Sequence, residues 1–156
     1  MSKAMSLSEV LATAILREQE AFFFYSDLME MAKDKGVKET LQWIANEELK
    51  HRRFLVEYKS GKHGKSAMQM TAAIDYKIAE NITAPETDKP LTDADIFLVA
   101  SHRELKAHTF YTELANLHSD PEIKNLLLKM AGEELKHKEK MEYLYSNTAF
   151  AQTAGG

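Results

Sequence analysis

The stretch ANEELKH at residues 45–51 returns, with a single change, as AGEELKH at residues 131–137. The similarity extends outward from these two stretches. Residues 10–60 align with residues 96–146 without a gap, and 17 of the 51 aligned positions are identical. Self-similarity at a fixed offset is typical of a duplicated structural unit. The chain therefore contains two copies of one motif.

Each copy of the motif is predicted to be a hairpin of two amphipathic helices, because apolar residues recur three and four positions apart. The predicted helices span residues 6–35, 37–58, 92–118 and 121–145. Their ends coincide with capping patterns at Ser6 to Glu9, Thr92 to Asp95 and Asp120-Pro121, and with glycines at Gly36 and Gly61. The prediction is an all-α fold, a four-helix bundle built from two hairpins.

The two hairpins are joined by 31 residues, 61–91, which is long for a connection in a compact domain. Such a segment can run back along the bundle, and helical spacing of apolar residues predicts a short crossover helix within residues 68–82. Residues 147–156 are small and polar and are predicted to be a flexible tail beyond a single domain formed by residues 1–146.

Helical phase indicates which acidic residues face the core. The inward stripes of the first and third helices each carry one glutamate between two alanines, and those of the second and fourth each carry a Glu-x-x-His pair. Glu133 falls on a solvent-facing row, and the repeat then favours Glu48 over Glu47. The predicted inward set is Glu18, Glu48, His51, Glu104, Glu134 and His137.

Four buried carboxylates need counter-charge, because burying like charges without cations costs many kcal/mol or forces protonation. No lysine or arginine lies on the predicted inward stripes, so a buried salt-bridge network is disfavoured. Two divalent ions would balance four glutamates. A mixed carboxylate and imidazole set suits iron or manganese, with zinc as an alternative, whereas calcium prefers oxygen ligands alone. The absence of cysteine excludes thiolate sites.

The residues AILREQEAFFFY at 14–25, followed by NEELKH at 46–51, resemble the rubrerythrin branch of the ferritin-like di-iron carboxylate superfamily. The resemblance covers about residues 8–145. It implies a ferritin-like four-helix bundle that holds two iron ions. Its implied ligands are Glu18 and Glu104 as terminal carboxylates, Glu48 and Glu134 as bridging carboxylates, and His51 and His137 as one imidazole for each metal.

The resemblance also implies that Tyr25 and Tyr111 are hydrogen-bond donors that orient the carboxylates. Two departures from the rubrerythrin pattern are visible. The places where rubrerythrins have an additional glutamate on the third helix are Ser101 and Ala107, so the ligand set is symmetric and also resembles that of bacterioferritin. The four cysteines of a rubredoxin-like centre are missing, which implies an external electron donor such as a rubredoxin or another redox protein.

The expected activity is that of a di-iron oxidoreductase that reduces H2O2 or O2 and protects against oxidative stress. The alternative is an iron storage protein with ferroxidase activity. We expect a cytoplasmic location, because the chain lacks a basic face for nucleic acid, an apolar run for a membrane and a signal peptide. We expect a homodimer rather than a storage cage, because the tail of residues 146–156 is short and polar, whereas such cages usually have a fifth C-terminal helix. Phe22, Phe23 and Trp43 are predicted to be core residues, and His102, His108 and His118 to lie at the surface or the bundle end.

Overall fold

The computed structural model describes residues 6–61, 75–86 and 90–154. These residues form five helices and no strand: α1 (Leu7–Met31), α2 (Lys35–Lys59), α3 (Ile78–Asn81), α4 (Asp93–Asn116) and α5 (Pro121–Ala154). The helices group into two compact units, one with α1 and α2 and the other with α3, α4 and α5. Each unit therefore contains most of one copy of the sequence repeat, and the all-α prediction is confirmed.

The first helix begins at the predicted capping box. The Glu9 amide donates to Ser6 Oγ at 3.2 Å, and the Ser6 amide donates to Glu9 Oε2 at 3.1 Å. These two bonds satisfy backbone donors that have no partner inside the helix, so the start of α1 follows directly from the sequence.

The end of α1 differs from the prediction. The helix stops at Met31, and α2 begins at Lys35, where the first helix was expected to end. Asp34 causes the break, because its backbone is extended and its carboxylate accepts from the Val37 amide at 3.1 Å, which caps α2. Gly36, the predicted stop signal, lies inside the first turn of α2.

The second unit shows the other two predicted caps. Thr92 Oγ1 accepts from the Asp95 amide at 3.1 Å, and Asp95 Oδ2 accepts from the Thr92 amide, which completes a capping box for α4. Asp120 caps α5 through bonds from the Glu122 and Ile123 amides. The predicted end of this helix near Tyr145 is wrong, since α5 continues to Ala154 through the segment that was expected to be a tail.

Every residue on the predicted inward stripes of the four long helices is buried, although other side chains, such as Ile96 and Lys138, are buried as well. In addition to the glutamates and histidines, the stripes bury Leu11, Ala14, Ala21, Tyr25 and Leu28 on α1, Leu41, Ile44 and Leu55 on α2, Phe97, Ala100, Ala107, Tyr111 and Leu114 on α4, and Leu127, Met130 and Met141 on α5. Two core predictions are wrong, because Phe23 and Trp43 are 55% and 40% exposed. Both lie on the outer side of their helices.

The crossover is helical only over the four residues of α3 within the described range. Residues 68–74 of the predicted crossover helix lie outside the described residues. No helix in the described part of the chain combines the length and apolar character that a membrane crossing requires.

Candidate metal centre

The first unit brings two carboxylates and one imidazole together. Glu18 on α1 and Glu48 and His51 on α2 are all buried, and one ligand atom of each lies within 4.8 Å of the others. His51 Nδ1 is 3.7 Å from Glu18 Oε2. Glu48 and His51 share a face because they are three positions apart on one helix, and alanines at 14 and 21 leave space beside Glu18. We call these residues the first triad.

The second unit repeats this arrangement with Glu104 on α4 and Glu134 and His137 on α5, which we call the second triad. All three side chains are buried, and one ligand atom of each lies within 4.8 Å of the others. His137 Nδ1 is 3.6 Å from Glu104 Oε1 and 3.9 Å from Glu134 Oε2. The same ring nitrogen therefore faces the carboxylates in both units.

These separations fit ligands of a metal ion better than direct hydrogen bonds. Nitrogen-to-oxygen hydrogen bonds are about 2.7–3.2 Å long, and 3.6–3.9 Å exceeds that range. Metal–donor bonds of about 2.1 Å allow two ligands of one ion to lie up to about 4.2 Å apart. A divalent ion can therefore lie between the imidazole and a carboxylate in each triad.

The charge of each triad supports the same interpretation. Two ionised carboxylates carry −2, which one divalent cation balances while the imidazole is a neutral ligand. Without a cation, two buried carboxylates this close would repel each other strongly. Oxygen-rich coordination with one imidazole is the donor chemistry that iron and manganese use.

The glutamate next to each Glu-x-x-His pair has a different role. Glu47 pairs with Lys50 at 3.1 Å and Glu133 with Lys136 at 3.4 Å, and both acids are partly exposed. The choice of Glu134 over Glu133, and of Glu48 over Glu47, as the buried member of each pair is confirmed.

Comparison with known proteins identifies the family. The Rubrerythrin family model matches residues 3–94 and 95–152, almost the whole chain. The chain belongs to the rubrerythrin family. Its all-α fold is that of a ferritin-like bundle, and membership of the rubrerythrin family makes it a di-iron carboxylate protein. No curated protein matches the chain.

A solved structure is also similar to this rubrerythrin-family chain. It is a hypothetical protein from Pyrococcus furiosus that is 26% identical in sequence. The similarity covers 92% of the present chain and 90% of the other, with a TM-score of 0.59.

Two further predictions concern residues near the triads. Tyr25 and Tyr111 are both buried, at the inward positions that the repeat assigns to them. Ser101 and Ala107, where rubrerythrins have an additional glutamate, are also buried, and the Ser101 hydroxyl donates to the Leu98 carbonyl at 2.8 Å. Neither side chain supplies a carboxylate, so the candidate ligands in the two triads are four glutamates and two histidines.

The remaining described histidines are not in the groups of residues that could hold a metal. His102 Nε2 donates to the Ile82 carbonyl at 2.6 Å, and His108 Nδ1 donates to the Ala131 carbonyl at 2.8 Å. His118 is buried directly after the end of α4. His102 and His108 are partly exposed, in agreement with their predicted surface positions, whereas His118 is buried close to a helix end.

Sequence reasoning missed a buried ion-pair cluster in the second unit. Lys138, which is completely buried, lies 2.6 Å from Asp75 Oδ1, 2.8 Å from Glu80 Oε1 and 2.9 Å from Glu142 Oε2. Burial alone lowers the pKa of Lys138, but the hydrogen bonds to the three carboxylates outweigh it and raise this pKa above its ordinary value. Lys138 follows Glu134 by four positions on the same helix, and this spacing could have indicated from the sequence that Lys138 faces inward.

Proposed function

We propose that the two triads together hold a dinuclear iron centre. Family membership, the repeated Glu, Glu and His donor set and the charge balance of two divalent ions against four carboxylates support this proposal. Glu48 and Glu134 would act as bridging carboxylates and Glu18 and Glu104 as terminal ones. Manganese and zinc use similar ligands and are the alternatives to iron.

We propose further that the protein is an oxidoreductase that reduces H2O2, with O2 as a second oxidant, and thereby protects against oxidative stress. The triads would hold the metal pair, which when bound as two ferrous ions would supply the two electrons that, with two protons, reduce H2O2 to two water molecules. The residues of the chain would provide a neutral and largely dry setting for this reaction. Apolar side chains on the inward stripes exclude water, and the Tyr25 and Tyr111 hydroxyls would orient the carboxylates.

The observation that carries this proposal is the duplicated buried triad in a rubrerythrin-family chain. The test is anaerobic loading of the protein with Fe(II), removal of unbound metal, and stopped-flow mixing with H2O2 or with O2. We expect oxidation by H2O2 to be the faster reaction. Equal inertness towards both oxidants, with iron bound, would contradict an oxidoreductase.

The second candidate is iron storage with ferroxidase activity. The symmetric ligand set and the absence of cysteine in this sequence favour it, because a ferroxidase takes its electrons from the Fe(II) that it stores and needs no partner. Repeated aerobic additions of Fe(II) distinguish the two functions. An oxidoreductase retains about two irons per chain, whereas a storage protein accumulates many more in soluble form.

The partners and location follow from the same proposal. An oxidoreductase without its own electron-transfer centre requires an external reductant, for which a rubredoxin or another redox protein is suitable. We also propose a homodimer and a cytoplasmic location. Sedimentation equilibrium tests the dimer, and a mass of 17.7 kDa, that of one chain, would exclude it.

A further inference from the structure

A short segment of the crossover is attached to both ligand-bearing helices of the second unit. We call residues 75–82 the strap. Its contact with α5 is the buried cluster, in which Lys138 Nζ donates to the strap residues Asp75 and Glu80. Glu142 Oε2 accepts from the Ala79 amide of the strap at 2.8 Å and also pairs with Lys138. Side chains of α5 therefore hold the strap at three of its residues.

The strap is also attached to α4. The Ile82 carbonyl at the end of the strap accepts a hydrogen bond of 2.6 Å from His102 Nε2. His102 precedes Glu104 by two residues, and Lys138 directly follows His137. The strap thus connects α4 and α5 beside the residues that form the second triad.

Two of the three counterparts of these anchors in the first unit cannot form the same bonds. The repeat aligns His102 with Leu16, Lys138 with Arg52 and Glu142 with Val56. Leu16 and Val56 are aliphatic, and they are 56% and 41% exposed. Among the described residues, an attachment through these three anchors therefore occurs in one half of the duplicated chain, although both halves contain a Glu, Glu and His triad.

The buried cluster is not itself a metal site. Asp75, Glu80 and Glu142 are close enough together to hold a cation, but the Lys138 ammonium lies within 2.9 Å of all three and fills that position. Its role is therefore to fix the strap to α5, with the ammonium as a permanent counter-ion.

We propose that the strap makes the two metal positions unequal, so that the second triad binds a divalent ion more tightly than the first and fills before it. This inference rests on the proposed dinuclear centre. The physical reason is preorganisation, because a triad whose two helices are tied together loses less freedom when it closes around an ion. Lys138, Glu142 and His102 would act as positioning residues, since none of them is a proposed ligand.

The test measures each position separately by titration of the metal-free protein with Co2+, monitored by visible absorption. His51→Ala leaves the second triad complete, and His137→Ala leaves the first complete. We expect the His51→Ala protein to bind one Co2+ with a Kd about tenfold or more below that of the His137→Ala protein. Outer residues that orient metal ligands typically change affinity by about 10–100-fold.

The strap is then released in the His51→Ala background by Lys138→Met with Glu142→Leu. This pair removes both buried charges together, a change that leaves folding intact more often than removal of one. We expect the Kd for Co2+ to rise by about 10–100-fold. The matched control is Arg52→Met, the repeat counterpart, in the His137→Ala background, where the Kd should stay unchanged.

The α4 anchor gives an independent variant that leaves the buried cluster intact. His102→Phe in the His51→Ala background removes the bond to the Ile82 carbonyl and should weaken Co2+ binding, whereas His102→Gln keeps a donor and should restore the affinity. If His102 had only a structural role, His102→Phe would lower thermal stability in both the His51→Ala and the His137→Ala backgrounds. The ratio of the Co2+ Kd values of these two backgrounds would then stay unchanged.

The outcomes separate this inference from the proposed centre. Two Co2+ bound per wild-type chain, with equal Kd values for the His51→Ala and His137→Ala proteins, would overturn the inference and leave the centre standing. An unchanged Kd after release of the strap would also overturn it. Failure of the wild-type protein to bind Co2+ or Fe(II) would overturn the proposed centre and this inference with it.

Discussion

Replacing one ligand carboxylate by an amide should stabilise the metal-free protein and abolish the stabilisation by metal. Glu104 and Glu134 have ligand atoms within 4.8 Å of each other and are both buried. At an effective dielectric constant of about 20, two unit charges at this separation repel by roughly 3 kcal/mol. Glu134→Gln removes that repulsion with little change of shape, so we expect the free energy of unfolding of the metal-free protein to rise by about 1–3 kcal/mol.

The metal-loaded protein should respond in the opposite direction. A ligand at 100 times its Kd stabilises the folded state by about 2.7 kcal/mol for each site. Wild-type protein should gain this stabilisation when Fe(II) is added anaerobically, and Glu134→Gln should lose much of it because the amide is a weaker ligand. The assay is urea unfolding followed by circular dichroism, once with chelator and once with Fe(II).

The matched control is the neighbouring acid. Glu133→Gln removes a partly exposed carboxylate that pairs with Lys136, and surface pairs contribute about 0–1 kcal/mol. Its unfolding curves should resemble the wild type in both conditions. If Glu134→Gln destabilised the metal-free protein and left the effect of Fe(II) unchanged, Glu134 would be part of a salt-bridge network and the metal assignment would be refuted.

Three further predictions concern stability. Lys138→Met leaves Glu142 buried without its cation and should lower the free energy of unfolding in urea by about 3–5 kcal/mol. Adding Glu142→Leu should restore most of this loss. Equal stability of the single and double variants would contradict the ion pair between Lys138 and Glu142. Partial burial raises the pKa of Asp75, but the hydrogen bond from Lys138 and its charge outweigh this and lower it. The ionised Asp75 carboxylate therefore stabilises the folded protein fully above the ordinary pKa of a carboxyl group. The difference in free energy of unfolding between wild type and Asp75→Asn should vanish as the pH falls through the lowered pKa of Asp75. A difference that instead shrinks between pH 6 and 8 would contradict the titration of Asp75 as its cause. Thr92→Ala removes the cap of α4 and should cost about 1 kcal/mol in thermal unfolding, with no change in bound iron.

The buried triads could be predicted because the argument needed only helical phase and the repeat. A residue three or four positions from a known inward residue lies on the same face of the helix, and this does not depend on the conformation of the loops. That reasoning placed Glu48 and His51 together on one helix and Glu134 and His137 on another, and it separated Glu133 from Glu134. In the structure the two Glu-x-x-His pairs are buried, whereas Glu133 is partly exposed.

The strap could not be predicted in this way, because its residues belong to neither copy of the repeat. Lys138 and Glu142 form an i, i+4 pair that resembles an ordinary surface pair, and only the fold brings Asp75 and Glu80 against them. From helical phase alone, the sequence indicates only that Lys138, four positions after the inward Glu134, lies on the same face of its helix.

The errors at helix ends have simple causes. Asp34 aligns with Asp120 in the repeat, and both aspartates cap a helix, so the comparison of the two copies predicts a boundary that the glycine at 36 obscured.

Phe23 and Trp43 were predicted as core from their size alone, although their phase places them outside the inward stripes.

The central claim is that this chain binds a pair of iron ions through its two Glu, Glu and His triads. Metal analysis after anaerobic loading with Fe(II) and removal of unbound metal tests it most directly. We expect about two irons per chain in the wild type and loss of iron from Glu134→Ala but not from Glu133→Ala. A protein that retained no iron after loading, or only zinc, would contradict it.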